Sequence, residues 1–148
     1  MKVYAFALLV VMAMVPAAAL EDGGADNRVI LDKKFFSDFQ RTPAVLRDGF
    51  LDERMNTIIQ GRGQVRSIEK IQRYKKRFRV VLVDLEAEKL NLKVLYYIYI
   101  DSKTSISMLK TEESMEFSGQ LVAYTPVNSR RDGYIFDVIF EKGAMLVE

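Results

Sequence analysis

The spacing of apolar and polar residues divides the chain into an apolar start, a helical front and an all-strand remainder. From Ile58 onward alternation dominates, and the pattern predicts five strands. The first covers residues 58–71 and contains Gly61 and Gly63, which would break a helix but suit a strongly bent strand. The second covers residues 77–85, with Phe78, Val80 and Leu82 on one face and Arg77, Arg79, Val81 and Val83 on the other. The third, residues 92–100, has no glycine, proline or acid, and sets Leu92, Val94, Tyr96, Ile98 and Ile100 against Lys93, Leu95, Tyr97 and Tyr99. Residues 101–113 are polar, with Met108 and Leu109 placed to anchor one helical turn or a loop. A fourth strand follows over residues 115–125, with Gly119 at its middle and Pro126 at its end. A fifth covers residues 134–141, and residues 144–147 extend it past Gly143.

The helical front is shorter. Phe35, Phe36 and Phe39 recur at helical spacing and predict an amphipathic turn over residues 32–40. Thr42 and Pro43 form an N-cap and first-turn pair for a second helix carrying Leu46, Phe50, Leu51 and Met55. Before this lies a polar, glycine-rich stretch over residues 21–27, read as a flexible leader that extends over 20–31.

The first 19 residues have the form of an export signal. Lys2 supplies the positive charge, residues 3–15 are apolar, and Ala17 and Ala19 are the small residues a signal peptidase requires. Cleavage after Ala19 leaves a chain starting at Leu20, with no membrane span and an exported location, periplasmic or extracellular. The domain reading is therefore a signal peptide at 1–19, a leader at 20–31, a helical segment at 32–54 and a β-barrel at 55–148.

Composition then narrows the chemistry. The chain has no cysteine and no histidine. That excludes disulfides, thiolate nucleophiles and a lipoprotein anchor at the cleavage site, and removes the commonest general base and metal ligand. No cofactor, catalytic residue or metal site is expected. Charge is unevenly distributed: residues 20–53 carry 5 basic and 8 acidic side chains, residues 54–79 carry 9 and 1, and residues 80–148 carry 7 and 11. Nearly all of the positive field arises from the middle stretch.

Five strands, a glycine-bent first strand and a helical turn between the third and fourth make the pattern of an OB-fold barrel, mainly β, behind a short helical segment. The runs Gly61-Arg62-Gly63-Gln64-Val65, residues 80–84, Phe117-Ser118-Gly119-Gln120-Leu121 and Gly133-Tyr134-Ile135 resemble the small exported bacterial OB-fold domains called tRNA-anti-like. The resemblance covers residues 55–147. It implies an exported barrel with a glycine in its first and fourth strands, and the kinship with anticodon-binding domains in the family name does not itself license a tRNA ligand.

In an OB-fold the outward face of the second and third strands is the usual binding surface. Here it is expected to present Arg77, Arg79, Lys93, Tyr97 and Tyr99, with Lys75 and Lys76 beside Tyr74 at its rim. Cations for a backbone and rings for bases are the two components of single-strand binding. A solvated face with tyrosines covering aliphatic neighbours has the same sequence pattern, and an exported protein meets little nucleic acid. The candidate partner is therefore an anionic polymer or an envelope protein, with nucleic acid not favoured.

Two other classes compete. Val81-Leu82-Val83-Asp84 followed by Glu86 resembles the metal-binding strand of staphylococcal-type nucleases, with Glu88 a further acid for calcium. Leu85-Glu86 stands where those enzymes have Thr-Pro, and no matching downstream arginine motif is present, so the segment reads as a strand ending in a charged turn. The third class is a structural interaction protein of the envelope that docks through a sheet edge. The reading is a non-catalytic binding module of unknown ligand, with a calcium-dependent nuclease as the enzymatic alternative.

Overall fold

A computed structural model describes residues 27–147, with side-chain environments as far as Phe140. The expected signal peptide, its cleavage site and residues 20–26 of the leader lie outside the described residues. Among the described residues no helix is long and apolar enough to cross a membrane.

The polypeptide enters through β1 (Val29–Ile30), at the end of the segment read as leader, and runs parallel to the start of β2. Leu31 is already buried there. Helix α1 (Lys33–Arg41) begins where the Asp32 carboxylate accepts the Phe35 N–H at 2.9 Å, satisfying one of the orphan donors of the first turn. Its spacing buries Phe36 and Phe39 on one side.

Thr42 does not start the second helix. It ends α1, with its N–H on Asp38 and Phe39 and its hydroxyl donating to the Asp38 carbonyl. Pro43 then leads into a 3₁₀ turn (Ala44–Leu46), and α2 (Arg47–Asp52) follows directly from it without a side-chain cap. Leu46 is consequently exposed, while Leu51 is buried and Phe50 half-buried.

Five strands make the body: β2 (Ile58–Arg73), β3 (Lys76–Val83), β4 (Lys93–Ile100), β5 (Ser114–Pro126) and β6 (Gly133–Val147). β2, β3 and β4 are successive antiparallel neighbours, β4 and β6 pair in parallel, and β6 and β5 pair antiparallel. β5 returns to β2 over residues 58–64 and closes the ring. This five-stranded closed sheet, with α4 (Lys103–Met108) between its third and fourth strands, is an OB-like barrel behind short N-terminal helices.

The closure depends on the first strand serving two neighbours in turn. Gly61 and Gly63 lie in its first half, where a Cβ would stand 2.9 Å from the Phe117 ring and 2.8 Å from Leu82 Cβ respectively. A hydrogen fits there without displacing either neighbour, which lets β5 and β3 approach.

The second predicted strand ends two residues early. Asp84 leaves the ladder and caps α3 (Leu85–Lys89), a short helix that the sequence pattern did not announce. Inside the ring, Val65, Val80, Leu82, Tyr96, Ile98 and Val138 have no measurable exposure. Each such aliphatic side chain contributes about 1.5 to 3 kcal/mol through removal from water.

The N-terminal helices pack against one end of this core. The Phe39 ring meets Tyr134 edge-on at 5.3 Å and Phe50 at 5.5 Å, and the Arg54 guanidinium lies 3.7 Å over the Phe50 ring. Polar bonds fix the seat. Asp48 takes the Arg131 guanidinium at 3.0 Å and the Tyr134 hydroxyl at 2.8 Å, which hold its carboxyl below the usual range. The Tyr124 hydroxyl donates to the Asp48 carbonyl and the Asp52 carboxylate, and burial and that bond push it up to about 12.

Candidate functional site

Alternation places Arg77, Arg79, Val81 and Val83 on the outer face of β3, and Lys93, Leu95, Tyr97 and Tyr99 on the outer face of β4. Register aligns them: Arg79 lies opposite Tyr99, Val81 opposite Tyr97 and Val83 opposite Leu95. In the next strand Tyr97 lies beside Asp137, and Tyr99 beside Ile139. The predicted site residues of the two strands therefore do share one side of the barrel. Their local environments differ sharply.

Tyr99 is the clearest departure from an open face, because its exposure is 0%. The cause is the β2–β3 turn. Tyr74 and Lys75 both adopt left-handed backbone, with φ of 52° and 60°, as a two-residue turn of the type I′ kind requires. The tip folds over the outer face, and the Tyr74 ring stands edge-on to Tyr99 at 5.0 Å. The Tyr74 hydroxyl donates to Asp137 at 3.0 Å, and the Arg73 guanidinium lies 3.5 Å from the same carboxylate. Burial, then this bond, push the Tyr74 hydroxyl up. Asp137 is buried beneath them, and the Tyr99 hydroxyl, without a well-aligned hydrogen bond, faces the Arg73 and Arg79 guanidinia.

Arg79 is likewise engaged. Its guanidinium lies 4.4 Å over the Tyr97 ring, and its Nε donates to the Glu69 carboxylate at 2.8 Å. Arg77 pairs with Asp101 at 2.7 Å near the end of β4. Both arginines named from the sequence are thus neutralised by neighbouring acids. Glu69, the single acid of residues 54–79, was the available signal: it sits across a tight turn from Arg79.

The cations that stay without a partner are others. Arg66, Lys70, Lys75 and Lys76 make no ion pair or hydrogen bond through their side chains among the described residues, and all four belong to the β2–β3 hairpin. Lys93 lies at the opposite end of β4 from this tip. There it lines, with Arg66, Val83, Leu95, Glu88 and Asp132, an open cleft of about 710 Å³. Lys75 and Lys76 are therefore not adjacent to Lys93, although the sequence reading grouped all three. Arg66 joins the two regions and was missed, because it is the extra residue at the irregularity between Val65 and Ser67.

Asp84, the residue that carried the nuclease comparison, is 3% exposed. One of its oxygens accepts the Glu86 and Ala87 N–H groups at 3.0 and 2.9 Å, and the other accepts the Tyr96 hydroxyl at 2.6 Å. Burial raises its carboxyl, and these bonds oppose the shift. The side chain caps α3 and satisfies a buried phenol. Among the described residues no three Asp or Glu side chains are grouped to hold a metal ion.

No protein-family model matches the chain, and no curated protein does. Among solved structures it is similar to the asparaginyl-tRNA synthetase of Entamoeba histolytica in complex with asparaginyl-adenylate, with 18% identity over 62% of this chain and 20% of that one, at a TM-score of 0.40. A protein of Leishmania major described as an aspartyl-tRNA synthetase is similar over 90% of this chain and 22% of its own, with 15% identity and a TM-score of 0.42. The chain spans about a fifth of the length of those enzymes, and the likeness is a distant one of fold.

Proposed function

We propose that this chain is an exported, non-catalytic binding module of the tRNA-anti-like kind that takes an anionic ligand on the β2–β3 hairpin and the adjoining outer face of β3 and β4. One observation carries the reading: Arg66, Lys70 and Lys75 stand on a single hairpin without an acid to neutralise them, and Lys76 beside them makes no ion pair, sharing only the field of Asp101 with Arg77. Groups that keep their full charge attract a polyanion, whereas Arg77 and Arg79 have already spent most of theirs on Asp101 and Glu69.

Nucleic acid is disfavoured as that ligand. Sequence-tolerant strand binding needs open rings on which bases stack. Tyr99 is covered by Tyr74, and Tyr97 lies beneath the Arg79 guanidinium. Acid–base or calcium chemistry is disfavoured by the commitment of Asp84 to capping and to Tyr96. The signal-like pattern of residues 1–19 supports a location in the envelope or outside it.

The test replaces Lys70, Lys75 and Lys76 together by serine and measures polyphosphate and heparin binding as salt is varied. Each lost phosphate contact lowers the salt slope by about one unit, so the triple variant falls by up to about three. Its melting midpoint stays close to the parent's, because none of the three side chains makes an ion pair or hydrogen bond among the described residues and Lys76 only adds to the field on the exposed Asp101. A parental slope in the folded triple variant refutes the proposal.

A further inference from the structure

We infer that the outer edge of β2 over residues 67–73 is a docking edge for an extended acidic segment of a partner protein, which adds there as a further strand. The inference rests on the reading of the hairpin as an anion-binding surface and names the partner of that surface.

The neighbours of β2 change along its length. Residues 58–64 pair with β5 on one side, and residues 64–73 pair with β3 on the other. Past Val65, whose backbone exchanges hydrogen bonds with Glu112 and Glu113, the ring opens. Among the described residues, no strand and no backbone hydrogen bond meets residues 67–73 on the side away from β3. A row of unpaired N–H and C=O groups at strand spacing is a template for another strand.

The charges around that edge choose the occupant. Arg66 and Lys70 are exposed and unpaired beside it, and Lys75 and Lys76 continue the positive field at the turn. Glu69, the only acid within the edge, is held by Arg79. Ile68 and Ile71, both half-buried, offer apolar neighbours to a strand laid alongside. A second copy of this chain would set Arg66, Lys70 and Arg73 against the same residues, and like charges on paired strands repel. A polysaccharide or polyphosphate has no backbone donors and acceptors at strand spacing. An extended segment of alternating acidic and β-branched residues satisfies the hydrogen bonds, the charge and the isoleucines together.

The probe is a dye-labelled octapeptide of alternating glutamate and valine, titrated against the protein by fluorescence anisotropy. Amide hydrogen exchange of the protein is then followed with saturating peptide and, separately, with polyphosphate. The expected result is that the peptide slows exchange of alternate amides within residues 67–73 by roughly tenfold or more, since free edge amides exchange without any opening. Polyphosphate is expected to leave those amides unchanged. Peptide binding that leaves them unprotected overturns the inference, as does polyphosphate binding without peptide binding; both results keep the anion-binding surface. Failure of both ligands to bind overturns that surface and this inference together.

Discussion

Replacing Gly119 by alanine tests the closure of the ring at its tightest point. Gly119 lies in β5 between Ile59 of β2 and Phe140 of β6, at a slip in the β5–β6 ladder. A Cβ there would stand 2.4 Å from the Ile139 carbonyl oxygen and 2.7 Å from Val138 Cγ1. Carbon approaches a carbonyl oxygen no closer than roughly 3.3 Å, so the strand has to yield by about 0.9 Å. It has nowhere to go, because the obstacle is backbone and β5 is bonded on both sides. The cost belongs at the upper end of overpacking, about 2 to 3 kcal/mol. Gly61→Ala meets the edge of the Phe117 ring at 2.9 Å instead, and a ring can turn, so about 1 kcal/mol is expected. Gly49→Ala has nothing within 4 Å and lies in a helix, where alanine stabilises by about 0.5 to 1 kcal/mol. Urea unfolding followed by circular dichroism gives all three from their midpoints. A Gly119→Ala midpoint equal to that of the parent, or below no other variant of the series, refutes the reasoning.

Two further outcomes follow from the ion pairs. Arg79→Ser is expected to lower stability by about 1 to 2 kcal/mol, because it releases Glu69 and uncovers Tyr97, while Arg77→Ser, whose pair with Asp101 is solvent-exposed on both sides, stays within about 0.5 kcal/mol; thermal melts of the single variants separate them. The pH dependence of Asp48→Asn and Asp84→Asn should have opposite signs. The Arg131 and Tyr134 bonds hold Asp48 below 3.8, so its contribution is full above that pH and is lost as pH falls through the folded value. Burial holds Asp84 above 3.8, so its contribution is full below that pH and is lost as pH rises through the folded value. Urea midpoints taken between about pH 3 and pH 7 should show the parent losing its advantage over Asp48→Asn on acidification, and gaining on Asp84→Asn.

Strand identity was legible in the sequence because the burial period of a ring strand is two, and β3 carries it throughout while β4 carries it as far as Ile98, before the turn covers Tyr99. So was the barrel class: Gly61, Gly63 and Gly119 mark the places where strands approach too closely for a side chain, and a small polar connection separates the third strand from the fourth. The start of α2 was misread for a local reason, since Thr42 and Pro43 have the chemistry of a helix start and a helix end alike, and α1 claims Thr42 first. Helix α3 was invisible because Asp84 looks like the last residue of a strand until its carboxylate finds two N–H groups ahead of it and Tyr96 beside it.

The positive charge of this stretch was fixed by composition, with nine bases and one acid between residues 54 and 79. Which cations remain was decided only by the fold. A period of two assigns a side chain to a face, but it does not say what lies across that face. Register brought Glu69 to Arg79 and Asp137 to Arg73, and the left-handed pair Tyr74 and Lys75 folded the turn over Tyr99. The same tertiary step left residues 67–73 of β2 with a single neighbour, because a bent strand that closes a ring with its first half cannot reach the same partner with its second.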